Sequence, residues 1–400
     1  MNSTPPTLDD VCEFIVDCLH KTAPTQESGF PLIRTPNIGK GRLLLDGVYR
    51  ISQENYDIWT QRAEPEYQDL ILAREAPAGN VAIVPEGEKV ALGQRTVHLR
   101  PDKKKVDPTF LCYFLLAPKQ QANLLAGETG ATAKHVNMRD IRRLPLSHLP
   151  AIEDQKKLGS LIAAYDDLIE NNRRRIQLLE ESARLLYQEW FVHLRFPGHE
   201  QVRIIDGVPE GWDKTTADKV MDVLSGGTPK TKVTEFWDGE IPFFTPKDAK
   251  GLFTYNTEKT ITDLGLSKCN SRLYPKYTVF ITARGTVGKL SFAQRPMAMN
   301  QSCYALVTKG EISQEFLYSS LKASIEQFKA RASGAVFDAI VVDTFKNIPF
   351  LVPSSSLRDE FTEQVKDVFS QIDNLSIQNM KLAQARDLLL PKLMSGELTV

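Results

Sequence analysis

AIEDQKKLGSLIAAYDDLIENNRRRIQLLEESARLLYQEWF, residues 151–191, is the stretch on which the fold turns. Ile162, Ile169, Ile176, Ala183 and Trp190 recur every seven residues and alternate with Tyr165, Asn172, Leu179 and Leu186, the four–three spacing of a coiled-coil seam. Leu158, Leu161, Leu168 and Leu185 widen that seam, which predicts a helix touching more than one neighbour. The spacing predicts one helix from just after Pro150 to about Phe191. At ~1.5 Å per residue, about 40 residues make a rod of roughly 60 Å, where the usual helix has ~11–12 residues. A helix that long needs a partner along its length.

The partner is written further down the chain. After Pro353, Val365, Ile372 and Leu393 alternate with Phe361, Val368, Leu375, Leu382 and Leu389, and Asn379 and Arg386 take the remaining seam positions. Ser356 with Asp359 reads as a helix start, and Pro391 as its end or a kink. The segments ahead of the two helices also repeat. Thr35-Pro36 with Lys40-Gly41 returns as Thr245-Pro246 with Lys250-Gly251 at an offset of 210, shared by Arg74 and Arg284. The offset then falls through 209 (Gly79, Gly288), 207 (Gln94, Gln301) and 206 (Phe110-Leu111, Phe316-Leu317). It ends at 204 for Gly130-Ala131 with Gly334-Ala335 and for Leu144-Pro145 with Ile348-Pro349. A monotonic drift in chain order is what a duplicated domain with small loop deletions produces. Short β-branched and aromatic runs at 81–84, 96–99, 278–282 and 303–307, broken by Gly and Pro, read as strands and loops. Two helices related by duplication pair antiparallel about a pseudo-twofold axis. Asn172 and Asn379 either fix the register of that pair or sit at its solvent edge.

Composition closes several doors. The 400 residues are 42% hydrophobic and 25% charged, with 49 basic and 50 acidic side chains, which suits a soluble globular chain and offers no case for a lone polyanion clamp. The odd cysteines (Cys12, Cys18, Cys112, Cys269, Cys303) form no CxxC pair, and no segment reaches the ~20 apolar residues of a membrane span. A cytoplasmic chain is expected. Gly285-Thr286-Val287-Gly288-Lys289 has two residues where a P-loop has four, and Gly127-Glu128-Thr129-Gly130 fits a turn. No dinucleotide loop, nucleophile elbow or base-flipping Asn-Pro-Pro motif exists, and the six histidines lack the i, i+4 spacing of helical zinc sites. His193 and His199 read as linker composition around Pro197. Residues 201–350 carry 19 basic and 16 acidic side chains, residues 1–150 carry 18 of each, and both helical segments are acidic by two. Basic residues cluster in loops, at 103–105, 142–143, 230 with 232, and 247 with 250. Such loops are either solvated or placed to meet phosphates. The run 173–175 is a solvated or partner-facing stripe.

These residues carry a family resemblance. Leu224-Ser-Gly-Gly-Thr-Pro-Lys-Thr-Lys232, continuing through Phe236 to Asp248, resembles the opening of a target recognition domain in the specificity subunit of type I restriction–modification enzymes. The helix from Leu168 through Asn172 to Phe191 resembles that family's central spacer, and residues 280–289 and 388–398 also match its pattern. The first half departs from it, with His20-Lys21-Thr22-Ala23-Pro24-Thr25 in place of Ser-Gly-Gly-Thr-Pro and Glu-Ala-Pro-Ala-Gly after Arg74. The resemblance implies an α+β fold: two pseudo-repeated mixed α/β recognition domains at 1–149 and 197–352, and two long antiparallel spacer helices at 150–196 and 353–400. It implies no active site and no bound cofactor in this chain. Each domain would read one half of a split, asymmetric site in double-stranded DNA, and the helices would set the spacing. Partners would be two methyltransferase subunits and restriction–translocase subunits, supplied with S-adenosylmethionine, ATP and Mg.

The candidate DNA contacts are Thr35, Lys40, Arg74, Gln94 and Arg95 in the first half, and Thr228, Lys230, Thr245, Lys247, Lys250, Arg284, Lys289 and Gln301 in the second. The candidate spacer and subunit interface is Ile162, Ile169, Asn172, Ile176, Leu179, Leu186 and Trp190 with Ile372, Leu375, Asn379, Leu382 and Leu389. Two other readings are a self-contained DNA-modifying enzyme and a coiled-coil scaffold with no DNA role.

Overall fold

The computed structural model describes residues 5–126, 135–147, 149–332, 340–346 and 348–399, without the side chains of 326–332. The Gly127–Gly130 turn, the match of Gly130-Ala131 with Gly334-Ala335, and His148 lie outside the described residues. The chain forms two compact units, residues 1–172 with 378–400 and residues 173–377, so each takes part of both long helices.

The first unit is built on strands β1 (Cys12–Asp17), β2 (Phe30–Ile33), β3 (Gly41–Arg42), β4 (Arg50–Ile51), β5 (Leu70–Ala73), β6 (Val81–Ile83), β7 (Ala91–Leu92) and β8 (Thr96–Pro101). They make a five-stranded sheet in the order β1-β8-β5-β6-β3 and a three-stranded sheet in the order β4-β2-β7. β5 is buried along its whole length and pairs antiparallel with both β6 and β8, which is why Leu70-Ile71-Leu72-Ala73 reads as a continuous apolar run. Helix Pro108–Leu116, capped by Asp107 Oδ1 accepting from the Phe110 amide (2.8 Å), buries Phe110, Leu111 and Phe114 against it.

The second unit repeats this order. A hairpin of β9 (Ile204–Ile205) and β10 (Val208–Pro209) precedes β11 (Asp213–Thr216), β12 (Met221–Ser225), β13 (Trp237–Phe244), β14 (Phe253–Thr254), β15 (Thr260–Ile261), β16 (Val279–Thr282), β17 (Leu290–Ala293), β18 (Ala298–Met299), β19 (Cys303–Thr308) and β20 (Pro349–Val352). The sheets β12-β19-β16-β17-β14 and β15-β13-β18 match those of the first unit strand for strand, including the parallel pairs β3/β6 and β14/β17 at one edge. The duplication seen as a drifting offset is therefore a duplication of topology. β11 pairs with β20, and Ser313 Oγ accepts from the Phe316 amide (3.0 Å) where the first unit uses Asp107.

The first long helix spans Ile152–Tyr187 and ends in a π turn, Gln188–Val192, that leaves both Trp190 and Phe191 buried. The second spans Ser355–Ser395. It passes through Pro391, so of the two readings, end or kink, the end is excluded: the proline forfeits one amide bond in the last turn, and Leu393 and Met394 anchor that turn in the core of the first unit. The pairing is antiparallel within each unit. In the first, Asn172 Nδ2 donates to Asn379 Oδ1 (3.0 Å) and Asn379 Nδ2 to the Ile169 carbonyl (3.3 Å), so these side chains join the helices rather than face solvent. Leu158 and Ile162 share a core with Leu393 and Met394. In the second, Tyr187, Trp190 and Phe191 pack on Phe361, with ring centroids 5.7, 6.0 and 5.1 Å away. The seam phase is as read from the heptads. Leu168 and Leu185 do not widen it, being about half exposed.

Candidate nucleic-acid interface

The Ser225-Gly226-Gly227-Thr228-Pro229 turn shows why two glycines stand together. A Cβ on Gly226 would lie 2.2 Å from the Asn300 carbonyl oxygen, and one on Gly227 2.6 Å from the Asn270 amide nitrogen. Only bare backbone passes between the β18–β19 turn and the loop holding Asn270. This threading sets Thr228 on Gln301, and the Thr228 hydroxyl donates to the Gln301 side-chain carbonyl. Across from them the β16–β17 loop carries Arg284, exposed and in no ion pair among the described residues.

Thr228, Thr245, Lys247, Arg284 and Gln301, chosen from sequence alone, line one recess of about 500 Å³. The recess has an aromatic wall of Trp237 and Phe243, over which Lys259 Nζ lies 5.5 Å from the Trp237 ring centroid. Asn300 and Ser302 complete the turn that bears Gln301. Thr245 is fixed rather than free: its amide and hydroxyl both donate to Asp248 (2.8 and 2.7 Å). Lys247 pairs loosely with Glu258 at 3.9 Å. Burial pushes the Tyr304 phenol up and the Arg284 charge opposes the shift. Lys230, Lys250 and Lys289 are exposed but do not line the recess.

In the first unit Arg74, Gln94 and Arg95 line a smaller recess of about 240 Å³ with His20 and Glu75. Three of the first-half candidates stand in other settings. Arg74 is an internal brace, its Nη1 2.6 Å from Asp17 Oδ2 and its Nε donating to the Val136 carbonyl (3.0 Å). Thr35 is buried and donates to the Ala76 carbonyl (3.3 Å). Lys40 lines a different recess with Tyr113, Asp166 and Arg386. The exposed guanidinium at the mouth is that of Arg95, paired with Glu75 at 2.9 Å.

Sequence reasoning missed His20, Trp237, Lys259 and Asn300. His20 was detectable in principle, because register places it where Thr228 stands: Val16 and Leu224 pair at equivalent points of β8 and β19. Elsewhere, His193 bonds Glu189 and His199 the Phe196 carbonyl, and no cluster of three metal-ligating side chains occurs among the described residues. All five cysteines are free thiols, four of them buried. No described helix is long and apolar enough to cross a membrane.

The family model of the type I restriction modification DNA specificity domain matches the chain twice, over residues 4–181 and 209–385. The chain belongs to the type I restriction–modification DNA specificity family. Each copy of the domain takes in one recognition sheet and much of the long helix after it. Among relatives of this specificity chain, the Type I restriction enzyme HindI specificity subunit of Haemophilus influenzae is 25% identical over 365 residues, covering 75% of this chain and 79% of that protein. The putative Type I restriction enzyme MjaX specificity subunit of Methanocaldococcus jannaschii is 23% identical over 420 residues, covering 98% and 93%. A solved S subunit of a type I restriction–modification system from M. genitalium shares the fold, with a TM-score of 0.61 at 16% identity and 98% and 97% coverage.

Proposed function

We propose that this chain is the DNA sequence-specificity subunit of a type I restriction–modification complex. Each unit reads one half of a bipartite, asymmetric site in double-stranded DNA. The long helices set the spacing and dock two methyltransferase subunits, and restriction–translocase subunits complete the assembly. The chain itself catalyses nothing. S-adenosylmethionine, ATP and Mg belong to the partners, and the setting is cytoplasmic.

The observation that carries this reading is the pair of loop recesses at equivalent places on the two duplicated sheets, each with a glutamine and an exposed arginine at its mouth. Arg and Gln are side chains suited to base edges in the major groove. A bidentate contact to a base is worth about 1–3 kcal/mol of discrimination. The near-neutral total charge fits a reading module whose phosphate attraction is shared with partner subunits.

The test is a complex reconstituted with its methyltransferase subunits, with methylated adenines mapped on genomic DNA. Arg284→Ala with Gln301→Ala is expected to relax or change one half-site and leave the other as it was. Equal loss at both half-sites would refute the modular assignment. Methyl transfer by the purified chain alone would favour the self-contained enzyme instead.

A further inference from the structure

The two long helices map onto each other at an offset of 203 residues. Leu158 falls on Phe361, Ile162 on Val365 and Trp190 on Leu393, and all six are buried. At this offset Asp166 falls on Phe369 and Ala183 on Arg386, while Asn172 falls on Leu375 and Ile176 on Asn379. The four seam positions that differ in kind between the helices thus contain both members of two polar pairs.

Both pairs are made within the first unit. Arg386 Nη1 donates to Asp166 Oδ1, and Tyr113 Oη donates to Asp166 Oδ2 at 2.6 Å. Asp166 is 5% exposed and Tyr113 4%. Asn172 bonds Asn379 about two turns away. In the second unit the matching places are apolar: Ala183 and Phe369 are buried in one core cluster, where Phe369 meets the ring of Phe292 at 5.8 Å.

A duplicated chain faces a particular hazard. The seam of either helix is built to accept a helix of the same ancestry, so a helix of one copy could pair with the same helix of another. The equivalences show what that costs. In a pair of first helices, Asp166 would face Ala183 and Asn172 would face Ile176. In a pair of second helices, Arg386 would face Phe369 and Asn379 would face Leu375. Each self-pairing, being twofold, strips two buried charges and two amides of their partners across the seam, leaving Asp166 only Tyr113 and Arg386 only Asp387, an arrangement far less favourable than either apolar packing or a matched pair. We propose that the Asp166–Arg386 and Asn172–Asn379 pairs are a recognition code that admits the first long helix to the second and rejects the same helix of a second copy of this chain. This rests on the helix seams alone and stands apart from the DNA reading.

The test uses the full chain. A variant carrying Asp166→Leu, Arg386→Leu, Asn172→Leu, Asn379→Leu and Tyr113→Phe has an apolar seam in both repeats and no orphaned hydroxyl. Wild type and variant are unfolded in guanidinium, refolded at micromolar concentration and sized by chromatography with light scattering. Wild type is expected as monomer. The apolar-seam variant is expected to recover native near-ultraviolet dichroism and a dimer fraction several-fold larger. Exchange of the first helix for its counterpart in another copy, with second helices as partners, keeps every polar pair and is open to wild type too, so the excess reports self-pairing. The exchange variant Asp166→Arg with Arg386→Asp keeps the match across helices and the mismatch within, and is expected to stay monomeric. Equal dimer fractions in wild type and apolar-seam variant overturn the proposal. So does an apolar-seam variant that fails to fold, which would make the polar pairs ties for folding, and so does a wild type that itself refolds chiefly to dimer.

Discussion

Arg74 and Arg284 follow the same strand of the two sheets, yet their surroundings are opposite. Asp17, at the end of β1, holds Arg74 in a charge-assisted pair with 15% of the arginine side chain exposed. The matching place at the end of β12 is Ser225, which has no charge to offer, and Arg284 stays in the recess. The backbone also shifts by one residue: the Arg74 amide donates to the Arg95 carbonyl and the Arg74 carbonyl accepts from Val136, whereas in the second unit Ala283 makes the matching bonds to Ser302 and Ile340, so Arg284 stands one place further along, in the recess. Arg74→Ala removes two hydrogen bonds from a charged donor, each worth about 1.5–3 kcal/mol. It is expected to lower the guanidinium midpoint clearly. Arg284→Ala removes no ion pair among the described residues and is expected to move stability by no more than about 0.5 kcal/mol, while changing the methylated sequence. Denaturation curves and methylation maps for both variants check this. The constant offset makes the two arginines look alike in sequence. What separates them is a one-residue shift in the backbone and a carboxylate 57 positions away from Arg74, and no local pattern signals either.

Among the elements, the long helices were the most legible, because a seam obliges a residue of one kind every three or four positions over many turns. Their outer faces were not: Leu168 and Leu185 fit the apolar spacing yet stand in the open. Gly159, in the first long helix, shows the opposite limit. By propensity it is a defect, about 1 kcal/mol worse than alanine. In the structure a Cβ there would lie 2.7 Å from the Phe110 amide nitrogen and 3.1 Å from its Cα, so the glycine lets the start of helix Pro108–Leu116 rest directly on the long helix. Gly159→Ala is therefore expected to destabilise despite its better propensity, by about 1–3 kcal/mol from forced backbone shifts. A rise in the denaturation midpoint would show that the two helices separate freely at this point.

For the whole molecule, duplication was visible in the drifting offset, whereas strand order was not, since β3 and β14 are two-residue strands with no periodicity to read. The structure adds where the two units divide the helices, between Asn172 and Arg173 in the first and between Ile377 and Gln378 in the second. Every polar seam pair and every ring contact described above lies within one unit or the other, so extra turns placed at these two points leave each unit's own contacts in place. Seven residues inserted at both keep the heptad phase. They lengthen each helix by about 10.5 Å, or about three base pairs at ~3.4 Å each. If the helices act as the ruler, the methylated site is expected to keep its two specific blocks and gain about three unread base pairs between them, read by mapping methylated adenines in cells that carry the variant. Insertion in one helix alone makes the two junctions unequal in length, so the seams of both units cannot stay in register together, and is expected to lose methylation rather than shift it. An unchanged spacer in the doubly lengthened chain would mean that spacing is set by the partner subunits and that the helices serve only to hold them.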